Sequence, residues 1–338
     1  MIYDDVLDLE DKFSVFMLDA YGVFWDGAEF YKGSKETMEH LVEGGKVVCI
    51  LSNATCLAAE AEDTYKKKGI VKNKHYHEII TSGEVARHLL ETRKIDKLAG
   101  LKKIYQFGTP SGALFKSLDG YEVVDNLKDA DFVYISVPQF TEAEFDSFST
   151  EDKKYLFESR RPKEGEPKKW DSTRLDLFNN KITGLLSAGL PFLNANPDLI
   201  ASEPVKGNNN QRNYVIRQGY IGNELKRRGA LVVEIGKPNV EVYEFAFNKL
   251  KNLGISVIDR QRIVMVGDTL ATDIRGAMNA EIKSILCMKT GVTYRQAVEL
   301  LGTQPQTLER LESVMKNITN NEGIWPDYYV AYFGSQTL

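Results

Sequence analysis

Four short apolar runs punctuate the chain: Ser14–Leu18 (SVFML), Val47–Leu51 (VVCIL), Ile263–Gly267 (IVMVG) and Ser284–Met288 (SILCM). None alternates apolar with polar positions, so each reads as a strand buried on both faces, as in a parallel sheet covered by crossover helices. Amphipathic segments separate the runs, and helices are predicted over Leu57–Lys68 and Val240–Leu250; Lys66, Lys67 and Lys68 followed by Gly69 mark the end of the first. The middle of the chain repeats the alternation. There, Lys103–Phe107 (KIYQF) and Phe132–Val137 (FVYISV) read as strands, and Phe145–Glu158 and the stretch after Thr183 as helices. The fold class is therefore α/β, a doubly wound parallel sheet with a second α/β domain inserted into it. The expected division is a core of residues 1–81 and 230–338 and an insertion of 82–229, with linkers near Ser82 and at Arg228–Leu231. Two polar stretches, Ser159–Arg174 (SRRPKEGEPKKWDSTR) and Lys206–Arg212 (KGNNNQR), are predicted to be exposed loops.

Composition narrows the function classes. A chain of 338 residues with 43% hydrophobic content can bury more than one core, so two domains are expected. The formal net charge is only -5 and both signs are interspersed, which leaves no footprint for nucleic acid or an anionic membrane surface. A small soluble ligand is the expected partner. The start, MIYDDVLDLEDKF, is acidic rather than basic-then-apolar, and no segment has the length of a membrane span, so the expected location is the cytoplasm. Cys49, Cys56 and Cys287 are odd in number and form no CxxC pair, as expected of reduced structural thiols.

The chemistry gathers where strands end. The first run is followed by Asp19, Ala20, Tyr21, Gly22 and Val23, which places a carboxylate at the edge where open α/β sheets bind ligands. The second closes on Ser52 and Asn53, whose hydroxyl and amides could seat phosphate oxygens just ahead of a helix; either residue could instead be a helix cap. Gly236, Lys237 and Pro238 set a cation before another helix. The third run ends in GDTLATD, with Asp268 and Asp273 able to line one wall of a site for Mg²⁺, an ion that takes hard oxygen ligands.

In these four segments, DAYGV, LSN, GKP and GDTLATD, the sequence closely resembles the haloacid dehalogenase superfamily. The large insertion between the second and third segments, with WDG after the first, ANPD at Ala195–Asp198 and TGVT at Thr290–Thr293, resembles its class IIA branch, which includes 4-nitrophenyl and sugar phosphatases. The likeness spans roughly Phe13–Thr293. It implies a Rossmann-like core with an inserted C2-type cap, a magnesium-dependent phosphatase of a small phosphorylated metabolite, and an aspartyl-phosphate intermediate. By the same resemblance Asp19 is the nucleophile and a metal ligand, the Tyr21 carbonyl a second ligand, and Asp268 the other acidic ligand, with Asp273 in support. Ser52 and the Asn53 amide would hold the phosphoryl group, and Lys237 would neutralise charge on it and on Asp19. An anionic nucleophile reaches an anionic ester only when cations cancel the repulsion, so the roles are physically coherent. Caps in relatives often mediate dimers, so a homodimer is a further expectation.

One position departs from the family. Where most relatives carry a second Asp as acid and base, this chain has Tyr21, a phenol with an ordinary pKa near 10, and losing positioned acid-base help typically costs roughly 10²- to 10⁴-fold in rate. Three readings follow: a phosphatase in which Tyr21, water or another carboxylate moves the protons, a phosphate-ligand binding or regulatory protein with little turnover, or another phosphotransfer or phosphonate chemistry. Asp26 is the nearest alternative carboxylate, although Asp26-Gly27 is also a tight-turn pair. His75 and His77 form an HxH in a loop-like, lysine-rich setting and are expected to be surface histidines rather than metal ligands.

Overall fold

The computed structural model describes every residue except 1, 111–112, 160–164, 206–207, 256–258, 306 and 338, with backbone alone at 204–205 and 208–211. The chain divides into two compact units, one of Met1–Ser52, Ala58–Thr81 and Lys237–Leu338, the other of Asn53–Leu57 and Ser82–Gly236. The chain thus returns to the first unit at Lys237, later than the expected 230. The reason is the strand Val232–Glu234, which pairs with Phe192–Asn194 in the second unit's sheet.

The first unit is built on a seven-stranded sheet, and every pairing in it is parallel. From Val15–Leu18 the chain adds Val47–Ser52 and then Glu78–Thr81 on one side. Much later it adds Ile263–Gly267, Lys283–Cys287 and Tyr328–Val330 on the other, with Ile2–Tyr3 at the far edge. Strand order therefore reverses at Val15–Leu18, the place where an open α/β sheet leaves a crevice beyond its carboxyl edge. The apolar runs form these central strands because helices bury both faces: Phe16, Met17, Leu18, Val48, Ile50, Val264, Met265, Val266 and Leu286 are all buried. The helix Leu308–Glu322 leads into the outer strand Tyr328–Val330.

The second unit carries its own five-stranded parallel sheet, ordered Val232–Glu234, Phe192–Asn194, Phe132–Ile135, Lys103–Phe107, Glu122–Val124. Its core includes Phe107, Val133, Ile135, Phe178, Phe192 and Ile221.

Four expectations fail here for local reasons. The helix expected over Phe145–Glu158 is broken: Glu142–Ser147 starts at a Thr141/Glu144 capping box, and Phe148 is extended. Ser149 then caps a second short helix, Thr150–Lys153, before the strand Leu156–Glu158, because a serine hydroxyl competes for helix-start amides. The helix placed after Thr183 is Asn179–Leu186, with Thr183 in its interior bonding back to the Asn179 carbonyl at 2.9 Å. Ser159–Arg174 is not one exposed loop, since Lys169–Ser172 is a strand paired antiparallel with Phe140–Thr141 and Leu156–Glu158, and residues 160–164 lie outside the described residues. Nor is Lys206–Arg212 all loop. Residues 206–207 lie outside the described residues, and from Asn208 the chain runs as a strand to Ile216, paired with Ile200–Val205. This hairpin ends beside Arg217, which is buried and ion-paired with Asp171 at 3.0 Å and with Glu203. Among the described residues, no helix is long and apolar enough to cross a membrane.

Candidate active site

Asp19 leaves its strand where the strand order reverses. Its N–H still donates to the Val266 carbonyl at 2.9 Å, which ties the base of the side chain to the neighbouring strand. Beyond it the backbone curls tightly, with the Ala20 carbonyl accepting from the amides of Val23, Phe24 and Trp25. Gly22 makes the curl possible: its φ is +81°, and a Cβ there would stand 2.5 Å from the Asp268 carboxylate.

Lys237 enters from the other end of the chain and is 1% exposed. Its Nζ donates to Asp19 Oδ1 at 2.6 Å and to the Leu51 carbonyl at 2.8 Å, and lies 2.7 Å from Asp273 Oδ1 as an ion pair. Burial by itself would push this ammonium down, but the facing carboxylates of Asp19 and Asp273 outweigh it and hold Lys237 well above the usual lysine value. The group stays charged and neutralises the carboxylate it touches.

The strand Ile263–Gly267 delivers the other two acids. After Gly267 the chain makes one π-helical turn, Leu270–Ile274, a local widening common at functional sites. That turn carries Asp273 back so that its Oδ2 accepts from the amides of Asp268, at 3.1 Å, and Thr269, at 3.0 Å. With Oδ1 on Lys237, Asp273 braces both the lysine and the Asp268 backbone. Asp268 Oδ2 accepts from the Val292 amide at 2.6 Å, and Oδ1 from the Thr269 hydroxyl at 3.2 Å. Asp19, Asp268 and Asp273 each offer a carboxylate oxygen within 4.8 Å of the others, and all three are buried. So many hard oxygens in so small a space fit a divalent cation of the Mg²⁺ type.

Of the predicted site residues, the first unit brings Asp19, Lys237, Asp268 and Asp273 together. Ser52 is buried at the end of its strand, one residue after the Leu51 carbonyl that Lys237 holds. Asn53 is counted with the second unit, where its Nδ2 donates to Asp198 Oδ1 at 2.9 Å. The helix that follows starts only at Ala58, several residues past the position either would need to cap it. Tyr21 lies on the Asp19 loop and is 39% exposed. Asp26 is a turn element: its Oδ1 accepts from the amides of Ala28, at 2.8 Å, and Glu29, at 2.7 Å.

The histidines correct one expectation. His75 is buried rather than on the surface, its Nδ1 accepting from the Val71 amide at 3.0 Å. His77 Nδ1 accepts from the Val48 amide at 3.1 Å. Burial lowers both rings' pKa below the ordinary value, which favours the neutral imidazole that can accept these bonds. The residues that sequence reasoning missed are Thr290 and Val292. TGVT marked only a branch of the family there, and nothing in its spelling shows that a strand-end carboxylate lies against it.

A haloacid dehalogenase-like hydrolase family model matches residues 16–120, and a HAD-hydrolase-like model matches residues 234–313, one on each side of most of the second unit. Phosphoglycolate phosphatase 2 of Arabidopsis thaliana is 24% identical over 304 residues, covering 84% of this chain and 85% of that protein. A haloacid dehalogenase-like hydrolase from Brucella suis superposes with a TM-score of 0.69 at 19% identity, covering 98% of this chain and 100% of that one. A possible sugar phosphatase from Cytophaga hutchinsonii gives 0.65 at 18% identity, with 98% of each chain covered. With its core sheet and its α/β insertion, the chain is similar to the haloacid dehalogenase-like hydrolases on both sides of that insertion.

Proposed function

We propose that this hydrolase is a Mg²⁺-dependent phosphatase of a small phosphorylated metabolite, with Asp19 as its nucleophile. The observation that carries the reading is the buried Lys237 ammonium bound to Asp19 at 2.6 Å, within a cluster of three carboxylates. A structural ion pair would not need a third acid or a position at the strand reversal. Asp19, Asp268 and the Tyr21 carbonyl would hold the cation, which supplies charge neutralisation for the phosphoryl oxygens. An Asp19 oxygen attacks phosphorus and the bond to the leaving oxygen breaks, giving an aspartyl phosphate and the dephosphorylated product. Water then attacks that phosphorus, releasing inorganic phosphate and restoring the carboxylate. Lys237 keeps Asp19 ionised and oriented, Asp273 keeps Lys237 in place, and Ser52 with the Asn53 amide would receive the phosphoryl oxygens. The likeness to a phosphoglycolate phosphatase and to a possible sugar phosphatase supports a small phosphate ester as substrate. Buried thiols at Cys49 and Cys287 support a reducing, cytoplasmic setting as part of the same reading.

The departure at Tyr21 shapes the expected activity. Asp26, the nearest alternative acid, has its carboxylate committed to a turn, which favours slow turnover of esters whose leaving oxygen must be protonated. The test is a panel of phosphate esters, including 4-nitrophenyl phosphate and sugar phosphates, with and without Mg²⁺. Metal-dependent release of phosphate that is lost in Asp19→Asn is expected. Binding of phosphate esters with no release from any of them would instead establish the binding or regulatory reading.

A further inference from the structure

The segment Thr290–Thr293 touches the site from a helix with no assigned part in the chemistry. Thr290 is the N-cap of the helix Gly291–Leu301, yet its hydroxyl makes no cap hydrogen bond to that helix. It donates instead to the Gly22 carbonyl at 2.5 Å, a buried contact across 268 positions of sequence. The amides that a cap would satisfy are taken by Asp268: the Val292 N–H by its Oδ2 at 2.6 Å, and the Thr293 N–H by its carbonyl at 3.2 Å. The Thr293 hydroxyl donates to that same carbonyl at 2.6 Å. Asp268 therefore caps this helix from a distance, while the residue at the cap position holds the loop that follows Asp19. Both glycines at the crossing are enforced. A Cβ on Gly291, where φ is +75°, would lie 1.9 Å from Asp268 Oδ2, and one on Gly22 would lie 2.9 Å from the Gly291 Cα.

From this exchange of caps we infer that Thr290 and the Val292 amide are positioning groups that set the Asp19 loop and the Asp268 carboxylate at the spacing a divalent cation requires. The inference rests on the metal-binding reading above. Thr290 fixes the Gly22 carbonyl, and with it the orientation of the adjoining Tyr21 peptide. Val292 fixes one Asp268 oxygen by a short bond to an anionic acceptor at a helix N-terminus, where the dipole favours negative charge. Without these bonds the two segments must be ordered when the ion binds, and the ordering cost reduces its affinity.

Isothermal titration of the whole protein with Mg²⁺, without substrate, reads this directly. Thr290→Val keeps the shape and removes the donor, so Mg²⁺ binding should weaken about tenfold, the size expected for losing one buried hydrogen bond. Thr290→Ser, which keeps the hydroxyl, should restore most of it. At saturating Mg²⁺ the KM for 4-nitrophenyl phosphate should be unchanged in both, because neither residue is placed against substrate. Val292→Pro tests the second contact independently, and would carry the test if Thr290→Val failed to fold, because proline has no N–H to give Asp268 and its Cδ would stand where that N–H points, so the carboxylate loses both its bond and its place. It too should weaken Mg²⁺ binding. Asp268→Ala separates the two claims: if it binds Mg²⁺ like the natural protein, the metal-site reading fails. If it loses binding while Thr290→Val and Val292→Pro keep the natural affinity, the positioning role alone is overturned, as it is if Thr290→Ser is as weak as Thr290→Val.

Discussion

Replacing Lys237 by methionine removes the charge at the centre of the site while roughly keeping its volume. Three consequences can be sized. Asp19 and Asp273, with carboxylate oxygens within 4.8 Å of each other, lose the cation between them and repel by about 3.5 kcal/mol at an effective dielectric constant of about 20. The Leu51 carbonyl loses the donor it meets at 2.8 Å, a penalty of about 1–3 kcal/mol for an unsatisfied buried group. Relaxation prevents these from adding fully, so the expected loss is the about 3–5 kcal/mol typical of breaking a buried ion pair by removing one partner. At about 2–4 °C per kcal/mol for a unit of this size, that is roughly 6–20 °C in the melting transition. The assay is thermal and urea unfolding of metal-free Lys237→Met and natural protein at pH 7.5. Mg²⁺ should stabilise the variant more than the natural protein, since the ion supplies the positive charge that the lysine no longer does. Turnover should fall by at least roughly 10²-fold even where Mg²⁺ restores folding, the usual cost of removing one preorganised electrostatic contact. A variant that unfolds within about 1 kcal/mol of the natural protein, with no added benefit from Mg²⁺, would refute the account of Lys237 as the charge that holds these acids together.

Two further outcomes follow from the site and its surroundings. Tyr21→Asp should raise turnover of alkyl phosphates by roughly 10²-fold or more while changing 4-nitrophenyl phosphate much less, because an alkoxide must be protonated as it leaves and an aryl oxide need not be; equal gains on both substrates would sink that argument. His75 and His77 have lowered pKa values in the folded protein, so the unfolded chain takes up protons first. Their contribution to stability is fully present above pH 6.5 and is lost as pH falls from there through the folded values. Urea midpoints from pH 8 to pH 5 should therefore fall less steeply in a His75→Gln, His77→Gln double variant, whose amide oxygens can still accept from the Val71 and Val48 amides, and parallel curves would contradict the assignment.

The sequence shows the site best where chemistry stands at the end of an apolar run. Ser14–Leu18 and Ile263–Gly267 could hardly be other than buried strands, and Asp19 and Asp268 are the first polar groups beyond them. The spacing in GDTLATD likewise foretells that Asp273 returns to Asp268, although not that it does so by a π-helical turn. What the sequence conceals depends on partners far along the chain. Thr290 is spelled like an ordinary helix cap and Asp171 like a loop residue, and only tertiary contact with Gly22 and Arg217 gives them other work. Strands of three residues, such as Phe192–Asn194 and Val232–Glu234, are too short to show a period, which is why the return to the first unit was expected too early. His75 reads as a surface residue because its neighbours are lysines, whereas the tight turn before Glu78 closes around its ring.

Asp19 and Lys237 are 218 positions apart, and this separation sets a timetable for a chain made from its N-terminus. At about 5–20 residues per second, roughly 10–40 s pass on the ribosome between the emergence of the acid and that of its lysine. Throughout that interval Val15–Leu18 lacks the neighbour Ile263–Gly267, so one edge of the central sheet stays open. The residues of Ser82–Gly236, by contrast, emerge without interruption and carry a complete core of their own. Synthesis therefore imposes an order in which the inserted unit matures first and the reactive centre closes last. Until then the nascent protein carries an open strand edge, the feature that invites aggregation.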